Sequence, residues 1–280
     1  MSFLDRLLVL PQYLAPQHAL SRAVRWATRQ PWSTRLIAPF CRQFKVDLSE
    51  AARPLEDYRS FNDFFTRRLK DGVRPLAQGR DLVASPADGA ISQFGSVVDT
   101  QLLQAKGHTF ALAGLLGGLE GDAGALVDGR FITIYLSPRD YHRVHAPCDF
   151  RVHELRFIPG DLFSVNDRTA RTVPFLYARN ERLVLLGTTP WGPAAMVLVG
   201  AMLVGSMSLE GFDLESLAEA ATRMEKRQLS PALDYAQGAE VGRFNMGSTV
   251  ILVLPASSPA WPAELAAGSK VRMGARLAGV

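Results

Sequence analysis

The chain has 280 residues, 48% of them hydrophobic and 21% charged, which excludes a disordered protein and allows one large domain or a domain with an appendage. Only two cysteines occur, Cys41 and Cys148, so no disulfide framework follows and a reducing compartment is expected. The formal net charge of +4 is unevenly placed: up to residue 45, Arg6, Arg22, Arg25, Arg29, Arg35, Arg42 and Lys45 stand against Asp5 alone, so the N-terminus is expected to meet a negative partner.

The first 45 residues read as helices. Ser2 and Asp5 resemble a capping box ahead of the apolar residues 7–10. Pro16 suits the first turn of a second helix running to about Gln30. On it, Leu20, Val24 and Ala27 fall near one face and Arg22, Arg25 and Arg29 on another. A third helix spans about 32–46, with Pro39 as a kink or stop. Basic amphipathic helices carrying Trp26, Trp32 and Phe40 suit a membrane surface; the alternative is a helical cap on the main domain with solvated arginines. No recognised binding motif accompanies the charge, so a nucleic-acid partner is not expected. The start lacks the basic segment and cleavage site of a signal peptide.

Ser60 and Asp63 form another capping signature. From residue 72 the texture changes to short β-rich runs between Gly and Pro: 90–98, 130–136, 149–158, 182–187, 194–207 and 249–254. The longest apolar stretch, 192–207, falls short of the roughly 18–20 residues of a membrane-spanning helix and reads as buried strand. Helices are expected at 110–119 and 214–226, followed by a polar loop to Gly242. The end, 268–279, reads as strand, turn, strand, with a spacing similar to hairpins of small barrel-sandwich domains. These signals predict an α+β protein: a mostly β, barrel-sandwich-like catalytic domain over 72–280, preceded by a helical, membrane-associating region over 1–71.

Three polar clusters interrupt the β pattern. In Ser85-Pro86-Ala87-Asp88-Gly89 the carboxylate is a candidate, although Asp-Gly after Pro is also ordinary turn chemistry. The stretch from Tyr135 to Cys148 places His142 and His145 directly after an apolar run. Zinc would need three or four ligands, and no second Cys/His cluster completes a set around His142, His145 and Cys148, so no metal is expected. Gly247-Ser248-Thr249 opens the unbroken apolar run 250–254, the pattern of a strand covered on both faces. Gly247 permits backbone conformations closed to other residues, and Ser248 sets a hydroxyl beside that peptide's carbonyl. This points to a serine that attacks its own preceding carbonyl. Asp, His and Ser can form a relay in which Asp orients the imidazole, His takes a proton and Ser becomes the nucleophile. The same trio would serve a serine hydrolase acting on an external ester, although the G-x-S-x-G elbow is missing. A non-enzymatic barrel-sandwich module docked to membranes is a third reading.

The motif at 85–89, residues 135–145, Pro159-Gly160-Asp161-Leu162-Phe163-Ser164-Val165-Asn166 and Phe244-Asn245-Met246-Gly247-Ser248-Thr249 resemble those of phosphatidylserine decarboxylases. Phe61-Asn62-Asp63-Phe64-Phe65 and Val199-Gly200-Ala201 through Gly205-Ser206 match as well, in the family's order and spacing from about residue 45 to the end. Met246 departs from the family's usual Leu; as an apolar near-isostere it is expected to let maturation proceed.

The resemblance implies a proenzyme that cuts itself between Gly247 and Ser248 into a β chain, 1–247, and an α chain, 248–280. His145, oriented by Asp88, would deprotonate Ser248, whose Oγ takes over the Gly247 acyl group as an ester. Loss of the Cα proton expels the Gly247 carboxylate, and hydrolysis of the resulting dehydroalanine releases ammonia and leaves a pyruvoyl group at position 248. That covalent cofactor would accept the electron pair left when phosphatidylserine loses CO₂ on its way to phosphatidylethanolamine. His142 would handle a proton in this second reaction or position the head group. The implied partners are phosphatidylserine, an anionic membrane surface met by the basic N-terminus, and the β and α chains for each other, with further oligomerisation open. The implied location is peripheral, on the cytoplasmic side of the cell membrane.

Overall fold

The computed structural model describes residues 3–105, 108–118, 120–202, 206–214, 221–245 and 248–280. Helices open the chain: α1 (Phe3–Leu14), α2 (Gln17–Arg29), a 3-10 turn over Pro31–Leu36, α3 (Ile37–Phe44) and α4 (Phe61–Phe65). α2 starts directly after Pro16, and Pro39 falls in the first turn of α3 without stopping it. The Ser60 hydroxyl accepts from the Asp63 amide and caps α4 as expected, whereas Ser2 lies outside the described residues. α2 packs by its polar stripe: Gln17, Ser21 and Thr28 are buried while Leu20 and Trp26 are exposed. Ile37, Cys41, Tyr58, Phe61, Phe64 and Phe65 bring α3 and α4 together around a small aromatic core.

Strands β1 (Val83–Ala84) and β2 (Gly89–Ser96) follow, then the pair β3 (Gln101–Ala105) and β4 (His108–Ala111), helices α5 (Leu112–Leu116) and α6 (Glu120–Gly124), and strands β5 (Arg130–Leu136), β6 (Arg143–His145) and β7 (Phe150–Ile158). Helices α7 (Asp167–Thr172) and α8 (Leu176–Arg179) precede β8 (Arg182–Thr189), β9 (Gly192–Val199) and β10 (Met207–Leu209). The chain closes with β11 (Glu225–Tyr235), β12 (Glu240–Phe244), β13 (Ser248–Leu254), β14 (Lys270–Val271) and β15 (Arg276–Ala278).

An antiparallel sheet of eight strands, in the order β11-β7-β8-β9-β13-β5-β2-β14, organises the described residues. β13 pairs with β9 on one side and β5 on the other. Its alternate residues serve two cores: Val250, Leu252 and Leu254 join one, Ile251 and Val253 the other. This is the strand, covered on both faces, that the unbroken apolar run predicts. The first face is covered by the small sheet β10-β12-β6 and the β1–β15 pair. The second is covered by α5, α7, α8 and Val9 of α1.

The sheet is open, which corrects the barrel-sandwich expectation. β11 and β14 are its two edges and do not pair with each other. Layers on both faces bury its apolar surface, so closure is not required. The run 194–207 divides at Gly200 between two sheets. The Gly200 amide donates to the Glu181 carbonyl, and its own carbonyl accepts from the Asn180 side chain at 2.9 Å, which draws the backbone out of the ladder. The expected polar loop to Gly242 is instead β11, a largely exposed strand that opens on the four polar residues Glu225 to Gln228, and most of β12, which is mainly buried. At the expected helix 214–226, Leu214 is helical, 215–220 lie outside the described residues, and Glu225 already belongs to β11. The expected helix 110–119 shortens to α5 because Phe110 belongs to β4. The C-terminal strands do not form a hairpin: β14 pairs with β2 and β15 with β1. Among the described residues no helix is long and apolar enough to cross a membrane.

Candidate active site

The turn before Ser248 joins two sheets, β12 in the small one and β13 in the large one. Met246 and Gly247, which form the acyl side of the expected cleavage site, lie outside the described residues, as does the Ser248 side chain. Both flanks of the turn dock on one stretch of chain. The Phe244 amide donates to the His142 carbonyl at 2.9 Å, and Ser248 pairs in register with Leu136. Between these two docking points Asp140 closes a turn, its Oδ2 accepting from the amide and the hydroxyl of Ser137 at 2.7 Å each. The residues on either side of the expected cleavage site are thus anchored on sheets, as site chemistry requires.

His145 lies in β6, and its amide donates to the Pro86 carbonyl at 2.8 Å, which lays the 85–89 turn beside β6. Gly89 allows β2 to approach β5 there; a Cβ would meet the Tyr135 carbonyl oxygen at 2.4 Å. The His145 Nδ1 is 2.8 Å from the Gly238 carbonyl. A carbonyl only accepts, so Nδ1 carries the hydrogen and the neutral ring keeps its lone pair on Nε2. Gly238 presents that carbonyl with φ 79°, a left-handed conformation that suits glycine. The Tyr141 hydroxyl lies 3.0 Å from Nε2 and donates to it. Burial lowers the His145 pKa, so the ring is a neutral base near pH 7.

The Asp88 carboxylate binds elsewhere. It takes Arg74 Nε at 2.9 Å, Arg74 Nη2 at 2.6 Å and the Met273 amide at 2.8 Å. Arg74 also holds Glu50 at 2.7 Å. The expected orienting bond from Asp88 to His145 is therefore not formed. Gly238 and Tyr141 hold the ring, because a guanidinium this deeply buried requires carboxylates of its own. Asp88 acts on the imidazole through space, raising its pKa against the larger effect of burial. His145, Tyr141 and Arg74 line a cleft of about 330 Å³, and Asp88 lines an adjoining one of about 300 Å³ that shares Tyr141 and Arg74.

His142 is fully buried, its ring centroid 4.0 Å from that of Phe65. Nδ1 donates to the Asp140 carbonyl at 2.8 Å, which leaves the lone pair on Nε2. Among the described residues Nε2 has no hydrogen-bond partner. Burial, reinforced by the Arg67 cation, pushes the pKa down to about 3, against the Asp140 hydrogen bond. A sealed imidazole with one orphaned nitrogen costs free energy, and such groups call for a functional explanation.

A family model described as phosphatidylserine decarboxylase matches residues 61–279, and a shorter one, PSD, matches residues 7–45. The chain belongs to the phosphatidylserine decarboxylase family. Similar relatives carry the name phosphatidylserine decarboxylase proenzyme. That of Pseudomonas aeruginosa (strain LESB58) is 48% identical, with 99% of this chain and 98% of the relative covered. That of Methylococcus capsulatus is 47% identical over 95% and 94%, and that of Hahella chejuensis 44% over 98% and 94%. Membership in the phosphatidylserine decarboxylase family gives no support to the serine hydrolase or the non-enzymatic module.

The sequence motifs contain the candidates Asp88, His142, His145 and Ser248, and do not single out the residues that hold them. Tyr141 stands inside the 135–145 motif, but only the fold sets its hydroxyl on His145. Arg74 reads in the sequence as one more basic residue, while its side chain is 7% exposed between two carboxylates. Gly238 carries no signal beyond a Gln-Gly turn. Asn62, Ser206 and Asn245 occur in three separate motifs and converge only in three dimensions.

Proposed function

We propose that this chain is a proenzyme that cuts itself between Gly247 and Ser248 and then converts phosphatidylserine to phosphatidylethanolamine and CO₂. One observation carries the reading: position 248 heads a central strand of the large sheet, and both flanks of its turn dock on the stretch that bears His142 and His145. In the first reaction the Ser248 Oγ bonds to the Gly247 carbonyl carbon, the 247–248 C–N bond breaks, and the serine proton ends on the freed amine. His145, neutral and with its lone pair on Nε2, is the base, and Tyr141 lies on the path of that proton. Asp88 keeps Arg74 neutralised beside it.

The residues fit a pyruvoyl group at position 248. Thr249, the next residue, is paired on both sides, to Val199 and Tyr135, so the head of the strand is fixed. The orphaned Nε2 of His142 supplies an uncharged proton-exchanging or positioning group on the segment that flanks it. A pyruvoyl group there supplies an electron sink for the pair left by departing CO₂. No metal takes part in this reading.

The products are a β chain, 1–247, and an α chain, 248–280, which stay together as a heterodimer. Regions 1–71 and 72–280 act as a membrane-associating helical part and a catalytic part. Leu10, Tyr13, Leu14, Leu20, Trp26 and Trp32 are exposed in the first of these, among the arginines, a composition suited to peripheral attachment on the anionic, cytoplasmic face of a membrane.

Intact-mass measurement with denaturing electrophoresis tests the main reading. Two chains are expected, the smaller with a blocked N-terminus of pyruvoyl mass, and Ser248→Ala is expected to remain one inactive chain. An uncut but active Ser248→Ala variant would overturn it.

A further inference from the structure

The residue two positions before the scissile carbonyl is bonded on every side. Asn245 is buried, and its amide donates to the Ser206 carbonyl at 3.0 Å. Its side-chain Nδ2 donates to the Ser206 hydroxyl at 2.6 Å and the Ser208 hydroxyl at 3.2 Å, which uses both of its hydrogens. Its Oδ1 faces the Asn62 amide of α4 at 3.5 Å. Ser208 lies in β10, beside β12 in the small sheet. Three separate segments, around 62, 206–208 and 245, therefore meet at one side chain.

Packing alone does not require this. A leucine has the same branching and number of side-chain heavy atoms as an asparagine, with bulkier ends, and would avoid the cost of burying an amide. A satisfied buried polar network, by contrast, admits one arrangement, because any displacement leaves donors and acceptors unmet. Here the fixed point lies at the upstream end of residues 245–247, which must carry the chain from one sheet to the other. The downstream end is fixed by the pairing of Ser248 with Leu136. The scissile bond is therefore bracketed by two anchored residues, Asn245 and Ser248. For an attack within a single chain, placement is the larger part of catalysis, and an error of about 1 Å costs on the order of a hundredfold.

We propose that Asn245, held by Ser206, Ser208 and Asn62, is the positioning residue that presents the Gly247 carbonyl for self-cleavage. It acts through the backbone and takes no part in the proton transfers. The proposal rests on the self-cleavage reading above. It also gives α4 a function in maturation, since Asn62 reaches the turn from that helix.

The test compares Asn245→Leu with Asn245→Asp in the full chain. Aspartate retains the shape and accepts from all three neighbours, because serine hydroxyls can donate as well as accept; leucine retains the branching alone. Cleavage is followed as the appearance of the two chains after synthesis, and thermal midpoints are measured in the uncut Ser248→Ala background. Asn245→Leu is expected to slow cleavage by roughly tenfold or more, with Asn245→Asp restoring most of the rate. Wild-type cleavage rates in Asn245→Leu would overturn the proposal. So would equal losses in both variants that follow their thermal midpoints, since those would show a purely structural role. If the wild-type chain is never cut, the self-cleavage reading falls and this proposal with it; if the wild type is cut and the leucine variant keeps pace, only this proposal falls.

Discussion

Asp88 and His145 lie side by side and answer to different partners. The carboxylate neutralises Arg74, and the imidazole is held by a backbone carbonyl and a phenol. A loss of cleavage is expected on mutating Asp88 and would have two sources, a changed field at His145 and a buried guanidinium that has lost a counter-charge. The second has a signature of its own. In the uncut Ser248→Ala background, Asp88→Asn is expected to cost about 3 kcal/mol of stability in urea unfolding. Adding Arg74→Met should recover part of it, since the two sites share one interaction. Equal unfolding midpoints for Ser248→Ala with and without Asp88→Asn would show that the pair is idle. The sequence marks both residues as bearers of chemistry because their types and motifs are visible in it. Who holds them is not visible: Tyr141 is four residues from His145, but Gly238 and Arg74 reach the site only through the pairing of β12 with β6 and the course of the loop before β1.

At the scale of elements, legibility follows burial. β5 and β13 lie in the interior of the sheet, so their continuous apolar runs give their positions closely. β11 is an edge strand with Glu225, Lys226, Arg227 and Asp234 along it, and its polar pattern reads as loop. α2 shows a third case, in which the period is legible and the direction is not. A stripe of arginines and a stripe of apolar residues give a helix in either orientation, and the fold places Gln17, Ser21 and Thr28 inward. Trp26 is thereby left 64% exposed on a helix that also presents Arg22 outward. The double variant Trp26→Ser, Arg22→Glu is expected to sediment several-fold less with anionic phospholipid vesicles while its thermal midpoint stays the same, since neither side chain packs in the core. Undiminished sedimentation would favour a solvated helical cap.

Over the whole molecule, the expected β-rich body is present and its closure is not. Short strands at even spacing are equally compatible with a barrel and with an open sheet covered by layers. What separates them is which strands neighbour one another, and here β13 crosses between β9 and β5 while β14 and β15 leave for different sheets. That interleaving has a consequence for reversibility. Before the proposed cut, β13 returns to its slot as part of a continuous chain, at the modest entropic cost of closing a loop. After it, the same strand belongs to a separate polypeptide and must find its place by bimolecular encounter, at a far larger cost. The Ser248→Ala proenzyme is therefore expected to refold from urea with a yield independent of protein concentration. The mature two-chain protein should recover poorly, and its recovery should fall further the more dilute it is; equal recovery at all dilutions would show that the two pieces never separate. A cut at the proposed site would thus remove the protein's ability to refold alone: the information for the fold would be complete in the chain once, and spent when the chain is cut.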